Sequence, residues 1–209
     1  ELPAIHRDSA RLVVDRLYGE RVLVDGPVSG AHPGSPHALR VSGTGALAER
    51  LGRAEPGLPA LDVLCQDRLD PGAALAWNRE RLKRGDGPWL WATTGPMARG
   101  YVSPVFLPDA GPCLECLLGH FRRISPAPDL YDALLDQFRE GRPFEPASFP
   151  PEGVEILAQI VLWKRAGLSL PEAPAALYRL HVLDQASFET STHRVFSDPE
   201  CPACGPVRP

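Results

Sequence analysis

The chain has 209 residues, 44% apolar and 23% charged, which suits one globular domain with a real core, alone or with an appendage. A net charge of -4 without a basic block argues against a dedicated nucleic-acid surface. No apolar run approaches the about 20 residues of a membrane span, so no membrane partner is expected.

The sequence starts at Glu1, with no Met and no signal-peptide pattern, which suits a processed, trimmed or partial chain. Asp8 is placed to cap a short helix over Ala10–Tyr18. Arg21–Asp25 reads as a strand ended by Gly26 and Pro27, and a Gly/Pro/Ser/His loop follows to Pro36. His37–Ser42 is the next strand, and Gly43-Thr-Gly45 turns into a helix over Ala46–Leu51. After a Pro/Gly loop to about Pro59, Leu61–Cys65 has the pattern of a short buried strand. Pro71 opens a helix rich in good helix formers from Ala73 to Lys83, since proline is tolerated in a first turn. Trp89–Thr93 and Gly100–Phe106 read as strands, and Cys113–Arg123, Leu130–Arg139 and Glu155–Ala166 as helices. Ala176–Leu183 and Ser187–Val195 read as two strands that lead into the last cysteines. The alternation from Arg21 to Thr93 predicts an α/β layer structure with parallel strands, and the final hairpin predicts an antiparallel addition.

Five cysteines are present, and four form two Cys-x-x-Cys pairs, Cys113/Cys116 and Cys201/Cys204. Two intervening residues let both thiolates of a pair face one ion, and two such turns make the closed four-sulfur site of structural zinc. Pro112, Gly111, Pro202 and Gly205 flank or interrupt the pairs and favour such turns. The alternative is two unrelated pairs, one of them redox-active. A disulfide framework would be unusual in a chain with so ordinary a core, so a reducing cytoplasm is expected. More than eighty residues separate the pairs, too many for a self-contained zinc ribbon. The metal is therefore expected to tie the chain's end to its middle. Closed coordination leaves no open position, so no catalytic role is assigned to it. Cys65 sits in an apolar strand pattern and reads as a core thiol, with a nucleophile as the other possibility. His120 and His193 lie near the pairs in sequence, as outer neighbours of the metal or as plain surface histidines.

Val41-Ser-Gly43-Thr-Gly45-Ala-Leu-Ala48 follows a strand and opens a helix, the setting of a dinucleotide fingerprint. A ribose-binding acid is then expected roughly twenty residues on. Asp62 has about that spacing but precedes its strand's apolar run, and Asp67 and Asp70 come after it. A turn kept for packing, with no nucleotide bound, is the preferred reading. Asp67, Asp70, Asn78 and Arg81 form a candidate polar cluster for metal or phosphate, or else cap and solvate one helix. Arg122, Arg123, Lys164 and Arg165 could make small basic patches, with plain solvated helix faces as the default reading. No Gly-x-Ser-x-Gly, Ser/His/Asp set or His-rich cluster stands out, and no catalytic residue is assigned.

Taken in order, these features resemble a known superfamily. They are the glycine turn, Leu61-Asp-Val-Leu-Cys65, a helix carrying Asn78, and Trp89-Leu-Trp-Ala-Thr93. Then come Pro108-Asp-Ala-Gly-Pro-Cys-Leu-Glu-Cys116 and Thr192-His-Arg-Val-Phe-Ser-Asp-Pro-Glu-Cys-Pro-Ala-Cys-Gly205. Over residues 37–205 the chain is similar to the E1-like (ThiF/MoeB-type) superfamily. More narrowly, it resembles the E1-like cyclodehydratase partners of thiazole/oxazole-modified microcin biosynthesis.

The resemblance implies a Rossmann-like E1-type sheet, a structural zinc on Cys113, Cys116, Cys201 and Cys204, and a homodimer. It also implies a role as scaffold: engaging a precursor peptide and presenting it to an ATP-using YcaO cyclodehydratase. Residues 1–36 would then be an N-terminal extension, the remnant of a leader-binding module, and 37–209 the zinc-binding E1-like domain. Classical members adenylate a C-terminal carboxylate with ATP, and a compact adenylating activator is the alternative. Here Gly43, Gly45 and Asp67 would form only a degenerate nucleotide site. The stretch from the turn to Asp62 is too short for a ribose strand, and Lys83 is the only lysine near it. ATP is therefore not expected on this chain.

Overall fold

A computed structural model describes residues 9–15, 37–52, 60–85, 87–95, 98–140, 148–170 and 173–205; the strand expected at Arg21–Asp25 lies outside them. The chain divides into two compact units, Glu1–Gly34 and Ser35–Pro209. In the first, residues 9–15 form helix α1. The second contains β1 (Ala38–Gly43), α2 (Ala46–Leu51), β2 (Ala60–Gln66), α3 (Pro71–Arg84), β3 (Trp89–Thr93) and β4 (Arg99–Val102). There follow α4 (Leu114–Ile124), α5 (Pro128–Arg139), α6 (Pro151–Gly167), a short 3-10 helix (Ala175–Tyr178), β5 (Arg179–Asp184) and β6 (Thr190–Arg194).

The strands make one six-stranded sheet in the order β1-β2-β3-β4-β5-β6. β1, β2 and β3 pair in parallel, and every later pairing is antiparallel. Strand residues alternate between the faces. Leu61, Val63, Cys65, Leu90 and Ala92 meet Leu47 of α2 and Val154, Leu157, Ala158 and Val161 of α6. Leu64, Trp89 and Trp91 meet Ala74 of α3 and Leu114, Leu117 and Leu118 of α4 on the other side. The sheet is thus covered by helices on both faces, which is why β2 and β3 are buried along their whole length. α3 begins where expected: Pro71 occupies the first turn and Asp70 accepts the Ala73 N–H at 2.9 Å. Gly85, left-handed at φ 62°, ends it.

Two expected strands differ from the structure. Gly100–Phe106 is not one strand, because β4 stops at Val102. Pro104 has no N–H for a ladder, and the Ser103 hydroxyl accepts the Trp91 N–H at 2.8 Å in its place. The chain rejoins β3 through a Trp89–Phe106 bridge. Likewise Ala175–Tyr178 is a 3-10 turn and the strand starts at Arg179.

Lys164 explains that second departure. It was expected on a solvated helix face, yet it is fully buried. Its ammonium donates to the carbonyls of Ser103, Leu177 and Arg179 at 2.8, 2.9 and 2.7 Å. α6 thereby ties the end of β4 to the turn that enters β5. Burial lowers the Lys164 pKa from 10.5 to about 7. Between those values the unfolded chain binds more protons than the folded one, so stability should rise with pH across that window. Lys164→Met should lose on the order of 2 kcal/mol at neutral pH, since carbonyls lose their donor, and should lack the rise. Urea midpoints of both proteins across the window measure this; parallel profiles would refute it.

Candidate metal centre

The centre is built from two distant turns. Cys113 occupies the N-cap position of α4, with Cys116 in its first turn, and Cys201 and Cys204 follow β6. Their four sulfurs all lie within 4.8 Å of one another. Cys113 Sγ is 3.9 Å from Cys116 Sγ and 3.7 Å from Cys201 Sγ, and Cys116 Sγ is 3.4 Å from Cys204 Sγ. All four are free thiols. A tetrahedral ion with sulfur at about 2.3 Å has sulfur–sulfur edges of about 3.8 Å, so the set fits such an ion. Cys113, Cys116 and Cys201 are buried, and Leu82 and Ala203 pack against them.

Backbone and side-chain donors surround the sulfurs. The Asp198 N–H donates to Cys116 Sγ at 3.4 Å. The Asp198 carboxylate pairs with Arg123 at 2.5 Å, joining the second turn to α4. Gly205 N–H closes that turn onto the Cys201 carbonyl at 2.8 Å. The hydrogen bond between the two thiols raises the Cys113 pKa and lowers that of Cys116, which the Asp198 N–H lowers further. Cys116 is therefore the sulfur most ready to carry charge before a metal arrives. Burial raises Cys204 to about 12. An ion would have to displace that proton, as metals do from coordinating thiols.

The predicted polar cluster is not brought together. Asp70 caps α3, while Arg81 pairs with Asp62 at 2.6 Å and Arg40 holds the same carboxylate at 2.7 Å. Asn78 faces the cysteines, where it donates to Cys113 Sγ at 3.7 Å. The sequence shows only that Asn78 shares a helix face with Ala74 and Arg81; its partners lie more than thirty residues on. Cys65 is a core thiol, and burial raises its pKa to about 12. His120 and His193 line a cleft of about 820 Å³ between α4 and β4–β6, whose floor includes Tyr101, Leu180 and Val182. Arg122 and Arg123 are paired with Asp132 and Asp198.

Gly43 and Gly45 end β1 beside the end of β2. Their φ angles are 107° and 95°, a region side chains rarely adopt. A Cβ on Gly43 would lie 1.9 Å from the Cys65 carbonyl oxygen, and one on Gly45 would lie 2.5 Å from Asp67 Cβ. A side chain at either position would clash, so both contacts require glycine. α2 and α3 then leave the ends of β1 and β2 toward opposite faces, the arrangement that opens a crevice in open α/β sheets. The Thr94 hydroxyl donates to the Asp67 carbonyl at 3.0 Å, joining the ends of β2 and β3.

No protein family and no curated protein matches the chain. Solved structures do. The heterocyclase TruD superposes on 98% of this chain with a TM-score of 0.62 and 20% identity, using 35% of its own length. The chain shares its fold with part of a heterocyclase. A second heterocyclase, solved with substrate and cofactor, covers 98% of the chain and 32% of itself at TM-score 0.61 and 17% identity. MccB of E. coli covers 73% of the chain and 41% of itself at TM-score 0.50 and 17% identity. The chain thus spans about a third of the length of the heterocyclases it matches. Among the described residues of this heterocyclase-like fold, no helix is long and apolar enough to cross a membrane.

Proposed function

We propose that this chain is an E1-like partner in ribosomal peptide modification, engaging a precursor peptide for an ATP-using YcaO cyclodehydratase in the cytoplasm. The observation that carries the reading is the heterocyclase-like fold over 98% of the chain together with four converging thiols at the spacing a structural zinc needs. Zinc is the ion assigned because the donors are four thiolates in a closed set. Cys113, Cys116, Cys201 and Cys204 would hold it, and it would supply cohesion between α4 and the C-terminal segment.

The surface that fits a peptide is the cleft beside α4, with an apolar floor at Tyr101, Leu180 and Val182 and polar groups at Arg99, His120 and His193. The packed contact between Gly45 and Asp67 supports a crevice that no longer serves ATP. Adenylation remains the second reading, favoured by the position of that crevice at the ends of β1 and β2.

One reconstitution tests both. A YcaO enzyme with a Cys/Ser-rich precursor should release water from the peptide faster when this chain is added. The chain alone should not exchange pyrophosphate into ATP. Val182→Arg should blunt the stimulation while the circular-dichroism spectrum stays the same. Peptide-dependent pyrophosphate exchange by the isolated chain would replace the first reading with the second.

A further inference from the structure

Cys113 stands at the N-cap of α4, a position whose side chain ordinarily accepts a hydrogen bond from the helix's first free N–H groups. Cys113 makes no such bond. Its sulfur is turned to the other cysteines. The Leu114 N–H is satisfied from a different helix: it donates to Asn78 Oδ1 at 3.1 Å. Asn78 lies on α3 and is wholly buried. The orientation of its amide is forced, because a backbone N–H can meet only the oxygen. The NH2 group must then face the opposite side, where it donates to Cys113 Sγ at 3.7 Å.

We propose that Asn78 is a positioning residue of the metal centre, capping α4 from α3 and donating to the Cys113 sulfur so that this thiolate is presented to the ion. The inference rests on the four-cysteine metal reading. One amide does two jobs. Its oxygen satisfies the Leu114 N–H, the first free donor of the helix, which an N-cap side chain does not reach. Its nitrogen offsets part of the charge that builds on a buried thiolate, as outer hydrogen bonds do for metal ligands generally. The Arg79–Glu115 ion pair at 3.2 Å, one residue along each helix, holds the same two helices in register.

Asn78→Asp and Asn78→Ala both test the donor to sulfur. Asp keeps an acceptor for the Leu114 N–H but loses the donor to sulfur, and Ala loses both. Metal release to the chelator 4-(2-pyridylazo)resorcinol is measured on zinc-loaded protein, and the sulfur-to-metal charge-transfer band on cobalt-loaded protein. Both variants should bind zinc about 10–100-fold more weakly, the usual range for an outer-shell loss. Their cobalt band should move to lower energy, because a thiolate stripped of a hydrogen bond gives up an electron more easily. A structural role alone would not move that band. Wild-type affinity and an unshifted band in Asn78→Asp would overturn the proposal. So would failure of both variants to fold in excess zinc, which would make Asn78 a core residue first. Absence of zinc and cobalt binding by the wild type would instead remove the metal reading beneath it.

Discussion

Cys116→Ser and Cys204→Ser should each abolish the dependence of folding on zinc. An ion that binds only the folded chain stabilises it by RT times the logarithm of one plus the ratio of free ion to its dissociation constant, about 4 kcal/mol at a thousandfold excess. Each variant removes one of the four thiols that would hold the ion, and the remaining three would not close the shell. The consequence is structural before it is functional. The first pair starts α4, while the second lies after β6, more than eighty residues away, so the loss frees the C-terminal segment from the domain's middle. The sheet and its two helical layers remain as a core, so the variants should be destabilised rather than wholly unfolded. Thermal midpoints with and without chelator, together with metal content by atomic emission, measure the effect. The wild type should lose stability on chelation and the variants should not respond. A stable, metal-free wild type with a Cys113–Cys116 disulfide would sink the assignment. Acid should release the metal too, because a ligating sulfur must be deprotonated and partial burial already raises the pKa of the Cys204 thiol.

Gly43→Ala should be nearly as damaging, for a reason that involves no ligand. The new methyl would stand 1.9 Å from the Cys65 carbonyl oxygen, in a parallel pair where Gly43 lies opposite Cys65. The obstacle is backbone, which cannot swing aside as a side chain would. The residue also holds φ at 107°, which costs an alanine further. Together these place the loss at about 4 kcal/mol or more, in the range reserved for named steric failures. Gly45→Ala is the informative companion, since its methyl meets the Asp67 side chain instead. Asp67→Ala should therefore recover part of the Gly45→Ala loss and none of the Gly43→Ala loss. Chemical denaturation of the single and double variants, without nucleotide, reads this out. If Gly43→Ala folds with wild-type stability, the packing explanation of the turn fails.

The local features were legible because their causes are local. A Cys-x-x-Cys pair announces its geometry within four residues, and pairing two of them predicts one shared site wherever the chain folds back. The glycine turn was legible too, since a strand, two glycines and a helix start adjoin one another in sequence. The close approach of Cys65 and Asp67 to the two glycines is visible only in the folded chain. Pro104 could have warned that Gly100–Phe106 would break, but the hydroxyl of Ser103 that mends the break is visible only where β3 lies beside it.

By itself the sequence determined which cysteines converge, the α/β layering, the parallel strands up to Thr93 and the antiparallel hairpin at the end. It could not place the groups that surround the sulfurs. In the sequence Asn78 belongs to a polar cluster for metal or phosphate, or to a capped and solvated helix face, yet α3 turns it toward Cys113 and Leu114. Lys164 was assigned to a solvated face, yet α6 carries it onto three carbonyls from separate parts of the chain. Both are buried polar groups whose partners are distant in sequence. Their roles come from hydrogen-bond satisfaction in a dry interior, which exists only once the layers have packed.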